Sequence, residues 1–132
     1  MTAYILIVDD DDLNREIIAE YVGDAGYRFD MAEDGREAVD LAAKNAYDVI
    51  LMDIMMPIMD SLAATMNIRA GQNPDNASPK IVAVTAKRLH DTSRSLIRAG
   101  FNEYLAKPFT ESDIMKAVSP NINPLTSLER YS

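Results

Sequence analysis

Four carboxylates stand in a row, Asp9 to Asp12, directly after the aliphatic run Ile5 to Val8. Crowded carboxylates repel one another and resist burial, so a chain that keeps them together must supply a cation or hydrogen-bond donors. Further along, Asp53 follows "DVILM" (48 to 52), Thr85 follows "KIVAV" (80 to 84), and Lys107 with Pro108 follows "NEYLA" (102 to 106). A hard cation such as Mg²⁺ takes oxygen ligands and often uses only one or two carboxylates, with water, carbonyl or phosphoryl oxygens completing the set. Asp10, Asp9 through water, and Asp53 can supply such ligands. A carboxylate can also act as a nucleophile and form an aspartyl-phosphate. Phosphoryl transfer then needs donors and positive charge around the equatorial oxygens, which the metal, Lys107 and the Thr85 hydroxyl could provide.

Plainer roles exist for each of these residues. An Asp ahead of a helix is commonly an N-cap, and Asp11 or Asp12 fits before the apolar positions Leu13, Ile17, Ile18, Tyr21 and Val22. The last of the run is expected to be the cap. One cap does not require four acids. Asp9, Asp11 and Glu20 match three positions of a calcium-binding loop, but Leu13 and Asn14 stand where a ligand oxygen and the turn glycine belong. The eight methionines, several within "MDIMMPIM", are read as core and loop filling. His90, the only histidine, is expected to be exposed at the start of a helix and to take no part in catalysis.

The elements that must position these groups follow from periodicity. Strand-length aliphatic runs occur at 4–8, 28–32, 48–52, 80–84 and 102–106, and helical patterns near 12–25, 35–45, 59–70, 88–99 and 110–118. Several strands lack polar alternation, as suits a parallel sheet covered on both faces. The fold class expected is α/β, doubly wound. Open sheets of this kind place their site beyond the carboxyl ends of the strands, and Asp9, Asp10, Asp53, Thr85 and Lys107 all fall there.

At 132 residues the chain suits one domain. It contains no cysteine, which excludes a disulfide framework, a thiol nucleophile and cysteine-ligated metal. Its net charge of −8 argues against direct binding to a nucleic-acid backbone. No apolar run approaches the ~20 residues of a membrane span, and the start lacks a positive leader with a long apolar core. A soluble, cytoplasmic protein without membrane insertion is expected. Ala70 to Lys80 and the tail from Ser119 to Ser132 are polar or Pro- and Ser-containing candidates for irregular structure.

Taken together, "ILIVDDD", "DVILMDIMMPIMD", "IVAVTA" and "AGFNEYLAKPF" occur in the order that marks a known family. The chain resembles the receiver domains of two-component response regulators, the CheY-like proteins, over nearly its whole length to about Val118. The resemblance implies a flavodoxin-like fold of five strands and five helices, strand order 2-1-3-4-5, with a receiver domain at 1–119 and a short tail at 120–132. It implies phosphoryl transfer from a sensor histidine kinase or histidine phosphotransfer protein onto Asp53. Carried over by position, Asp9 and Asp10 are the acidic pair holding Mg²⁺, and the Met55 backbone carbonyl is a further ligand. Thr85 is the hydroxyl that moves to the phosphoryl group, Lys107 the amine that pairs with it, and Tyr104 the aromatic that changes rotamer. The Lys107–Pro108 bond is expected to be cis.

One departure stands out. Where the family usually has Asp then Gly after the acceptor loop, this chain has Asp60 then Ser61, and a turn needing φ > 0 would be costly there. Two other functions compete. A haloacid-dehalogenase-like, Mg²⁺-dependent phosphatase also has an Asp nucleophile after its first strand and a second Asp two residues on, a pattern that Asp9 and Asp11 partly mimic. A receiver-like interaction module that is never phosphorylated is the third. Without an output domain after Val118, action through protein contacts, on its own or within a parent chain, is expected; the downstream protein target stays open.

Overall fold

The computed structural model describes residues 3–56, 58–72, 78–86 and 93–119. Strand and helix alternate in chain order: β1 (Tyr4–Val8), α1 (Asp12–Asp24), β2 (Arg28–Ala32), α2 (Gly35–Lys44), β3 (Val49–Asp53), α3 (Ile58–Ala70), β4 (Lys80–Thr85), α4 (Ser93–Ala99), β5 (Glu103–Ala106) and α5 (Glu111–Ala117). The strands form one parallel sheet in the order β2-β1-β3-β4-β5, the flavodoxin-like order expected. Every strand boundary lies within one residue of its expected place. The helical pattern at 88–99 is described from Ser93 onward, while its first residues, His90 among them, lie outside the described residues, as do Pro57 and the tail from 120.

Alternation along the strands divides the core. Leu6, Val8, Ile50, Met52, Ile81 and Ala83 point to one face, where Ala38 of α2, Ala64 and Ile68 of α3 and Leu96 of α4 cover them. Ile5, Ile7, Val49, Leu51, Val82 and Val84 point to the other, under Ile18 and Val22 of α1 and Ile114 of α5. β3 and β4 are buried at every position, which is why their sequences show no polar alternation.

Register then fixes the level of the strand ends. Val8 lies opposite Met52, so Asp9 reaches the level of Asp53; Asp53 lies opposite Val84, one residue before Thr85; and Thr85 lies opposite Ala106, one residue before Lys107. At the opposite end of the sheet, Lys80 and Glu103 form a buried ion pair at 2.9 Å, and the Lys80 ammonium also donates to the Ser119 carbonyl at 2.8 Å. α3 is tied to the α4–β5 connection by Arg69, which donates to the carbonyls of Gly100 and Pro79 and to Asn102 Oδ1, each within 3.0 Å. Gly100 has φ +111° and a β-carbon there would lie 2.7 Å from Arg69 Cγ, so only glycine suits the position.

Candidate functional site

The four acids separate into distinct roles once the chain turns from β1 into α1. Asp11 is the N-cap of α1, its Oδ1 accepting from the amides of Leu13 at 2.9 Å and Asn14 at 3.2 Å. The last of the run, Asp12, is not the cap: it lies in the first helical turn and pairs with Arg15. Leu13, expected on the apolar stripe, is 64% exposed, and the buried face of α1 instead carries Arg15, Ile18 and Val22. Asp11 Oδ1 is thus engaged by the helix backbone, a capping role rather than the second-acid role of the phosphatase reading.

Asp9, Asp10 and Asp53 come together, each offering a carboxylate oxygen within 4.8 Å of the others. Asp10 is exposed while Asp9 and Asp53 are buried. Asp9 Oδ1 accepts from the Asp11 amide at 2.9 Å, and Asp53 Oδ1 accepts from the Met55 amide at 2.8 Å, an Asx turn at each strand end. Asp53 Oδ2 lies 3.5 Å from Lys107 Nζ. Asp9 Oδ2, by contrast, is buried without a hydrogen-bond partner among the described residues. Two ionised carboxylates cannot bond to one another, so the proximity has an electrostatic cost. Burial is the largest influence on Asp9 and pushes its carboxyl up; the Asp11 amide opposes this, the facing Asp53 carboxylate adds to it, and Lys107 pulls back, leaving a value of about 7. An oxygen-only donor set containing one orphaned buried oxygen fits a hard divalent cation, whose charge would relieve the repulsion.

The remaining expected residues stand around this group. Thr85 is buried at the end of β4, beside the strand that carries Asp53. The Lys107 amide donates to the Thr85 carbonyl at 2.8 Å, and the Lys107–Pro108 bond is cis, as expected. Tyr104 on β5 lies opposite Ala83 and is half-buried against the α2–α4 side of the core. Met55 is 47% exposed at the mouth of the site.

Two side chains at the site were not anticipated from the sequence. Arg15 is buried and its Nη1 donates to the Asp9 carbonyl at 2.6 Å. Its signal was a cation at 15 on the 15, 18, 22 stripe that packs inward. Ser61, which looks like a missing glycine, is fully buried in the first turns of α3 and donates its hydroxyl to the Asp53 carbonyl at 2.9 Å. Among the described residues no non-glycine has positive φ, so the cost expected at Ser61 does not arise.

Residues 5–119 match the family model described as the response regulator receiver domain. Hybrid signal transduction histidine kinase B of Dictyostelium discoideum is 38% identical over 120 residues, covering 84% of this chain and 6% of that protein. The receiver domain of sensor histidine kinase PA1611 from Pseudomonas aeruginosa, solved with a magnesium ion coordinated in its active site cleft, is 36% identical with a TM-score of 0.78, covering 89% of this chain and 95% of that one. The co-crystal structure of the Saccharomyces cerevisiae histidine phosphotransfer protein Ypd1 with the receiver domain of its downstream response regulator Ssk1 gives 25% identity and a TM-score of 0.79, over 89% and 87% of the chains. The chain spans only a small fraction of its most similar curated relatives, from 4% of hybrid signal transduction histidine kinase G of Dictyostelium discoideum to 17% of transcription factor SKN7 of Saccharomyces cerevisiae. With its sheet order and the match over residues 5–119, the chain belongs to the family of response regulator receiver domains.

Proposed function

We propose that this receiver domain, residues 1–119 with a short tail at 120–132, takes a phosphoryl group onto Asp53 from a histidine of a partner protein. The partner is a sensor histidine kinase or a histidine phosphotransfer protein, the classes to which the similar proteins belong or bind. One observation carries this reading: the carboxylate closing the central strand has two further acids within 4.8 Å and a lysine amine at 3.5 Å. In the step itself an Asp53 carboxylate oxygen attacks phosphorus, the bond from phosphorus to the donor's imidazole nitrogen breaks, and that nitrogen keeps the electron pair.

Asp10, Asp9 and Asp53, with the Met55 backbone carbonyl, are the groups that would hold Mg²⁺. Bound there, the ion supplies positive charge to the phosphoryl oxygens. The Asx turn from Met55 fixes Asp53 Oδ1, and Lys107 offers its ammonium to the transferred group. The Thr85 hydroxyl is assigned to a phosphoryl oxygen and Tyr104 to the rotamer change that follows, altering the face made by α4, β5 and α5 for a downstream protein. Loss of the phosphoryl group by hydrolysis resets the switch; the chain is a signalling acceptor rather than a turnover enzyme. A cytoplasmic location and action without direct DNA contact belong to the same reading, the latter supported by the −8 net charge.

The test is phosphorylation by a small acyl phosphate with Mg²⁺, read by intact-protein mass. The parent should gain one acid-labile phosphoryl group and Asp53→Asn none. Equal labelling of both proteins would remove Asp53 from its assigned role.

A further inference from the structure

The two buried acids of the site are held in matching ways. In each, an Asx turn engages Oδ1, to the amide of Asp11 for Asp9 and of Met55 for Asp53. In each, a side chain from the helix that follows reaches back to the acid's own backbone carbonyl. For Asp9 it is Arg15 Nη1 at 2.6 Å, and for Asp53 it is Ser61 Oγ at 2.9 Å. Asp9 is held further by its amide, which donates to the Ala32 carbonyl at 3.1 Å. What remains in both residues is Oδ2, which in Asp9 has no partner among the described residues and in Asp53 faces Lys107.

We infer that Arg15 and Ser61 are positioning residues, each clamping the main chain of one site acid so that its Oδ2 is presented to the metal and the phosphoryl group. This rests on the proposed phosphoacceptor role and adds to it the means by which the two strand ends are fixed. Arg15 and Ser61 are not among the groups assigned to the metal or the phosphoryl oxygens, and their effect passes through the Asp9 and Asp53 carbonyls. Such fixing matters because rate and affinity depend on donors already in place before the reaction.

Arg15 is suited by its planar fork. While Nη1 holds the Asp9 carbonyl, Nη2 pairs with Asp12 and lies 3.9 Å from Glu33 of the β2–α2 connection. A lysine keeps the charge and loses the fork. Ser61 acts where the family commonly has glycine, so the hydroxyl is an addition of this chain rather than a substitute for a turn conformation.

The experiment uses the full chain and the variants Arg15→Lys, Ser61→Ala and Ser61→Gly. Mg²⁺ binding is measured by calorimetry, phosphorylation by acetyl phosphate at saturating Mg²⁺, and the folded fraction by circular dichroism. Arg15→Lys should raise the Mg²⁺ dissociation constant about 3- to 10-fold, the scale of one lost hydrogen bond. Both Ser61 variants should slow phosphorylation of the folded protein about 3- to 10-fold. Alanine favours helix and glycine disfavours it, so a shared slowing assigns the effect to the hydroxyl, whereas changes in opposite directions assign it to helix stability and overturn the inference. Unaltered Mg²⁺ affinity in Arg15→Lys overturns it also, leaving at most a charge effect. Should Arg15→Lys fail to fold, the Ser61 pair, which leaves the buried Arg15 in place, decides alone. A parent that takes phosphoryl while all variants match it removes the clamps and leaves the acceptor role standing. A parent that takes none removes both.

Discussion

Removing the Glu103 carboxylate should destabilise this domain far more than its distance from the site suggests. Lys80 and Glu103 are 2.9 Å apart with side chains only 3% and 2% exposed. At an effective dielectric of ~20 their attraction is about 6 kcal/mol, against several kcal/mol for removing each ion from water. The pair therefore adds little net stability, but breaking it does not. Glu103→Gln leaves the Lys80 ammonium buried without its carboxylate, which typically costs ~3–5 kcal/mol. The Ser119 carbonyl still accepts from Lys80, which places the expected loss near the lower figure, about 3 kcal/mol. For a chain of this size that is a fall in thermal midpoint of roughly 12 °C. Replacing both residues, as Lys80→Met with Glu103→Leu, should bring the unfolding free energy back to within about 1 kcal/mol of the parent or above it. The assay is thermal and urea unfolding by circular dichroism, with acetyl phosphate labelling of the folded fraction alongside. Labelling should persist, because Lys80 and Glu103 open β4 and β5 while Thr85 and Lys107 stand at their far ends. A single variant melting within ~2 °C of the parent would refute the desolvation argument, since 1 kcal/mol already shifts the midpoint by more than that.

Three further outcomes concern the site. With Asp9 pushed up to about 7, protons compete with Mg²⁺, and apparent affinity should fall about tenfold between pH 8 and pH 6. The sign in the metal-free chain is the reverse of the usual carboxylate: Asp9 contributes stability fully below its unfolded value of 3.8 and loses it as pH rises through about 7. Asp9→Asn should flatten both dependences, and calorimetry and thermal melts across that range check them. Removing the Thr85 hydroxyl should leave Mg²⁺ binding and phosphate acceptance largely intact while weakening the response of residues 93–118. Chemical shifts before and after phosphorylation, in the parent and in Thr85→Ala, decide it, and an identical pattern in the two proteins would sink the relay.

The reach of the sequence follows from which interactions are local. Strand runs were legible because β3 and β4 are buried on both faces, and a segment with no solvent side carries no polar alternation to confuse its boundaries. The acids, Thr85 and Lys107 were legible because a parallel sheet brings all its carboxyl ends to one edge, so knowing where each strand stops is enough to bring Asp9, Asp10, Asp53 and Lys107 into one group. Illegible were the residues whose partner is chosen by register or by the path of the next helix. Nothing local in the sequence marks Lys80 and Glu103 as partners, and only the pairing of β4 with β5 buries them together. Asp11 rather than Asp12 caps α1 because Asp11 has extended dihedrals, φ −93° and ψ 117°, just before the helix, a choice that four identical neighbours cannot encode in their identity. Ser61 shows the same limit most sharply. Read locally it is a lost glycine, yet α3 already includes position 61, so right-handed backbone is all that is required there and the space left by glycine holds a donor for Asp53. The departure from the family pattern and the hydrogen bond to the Asp53 carbonyl are thus a single feature, visible only when helix start and strand end are placed together.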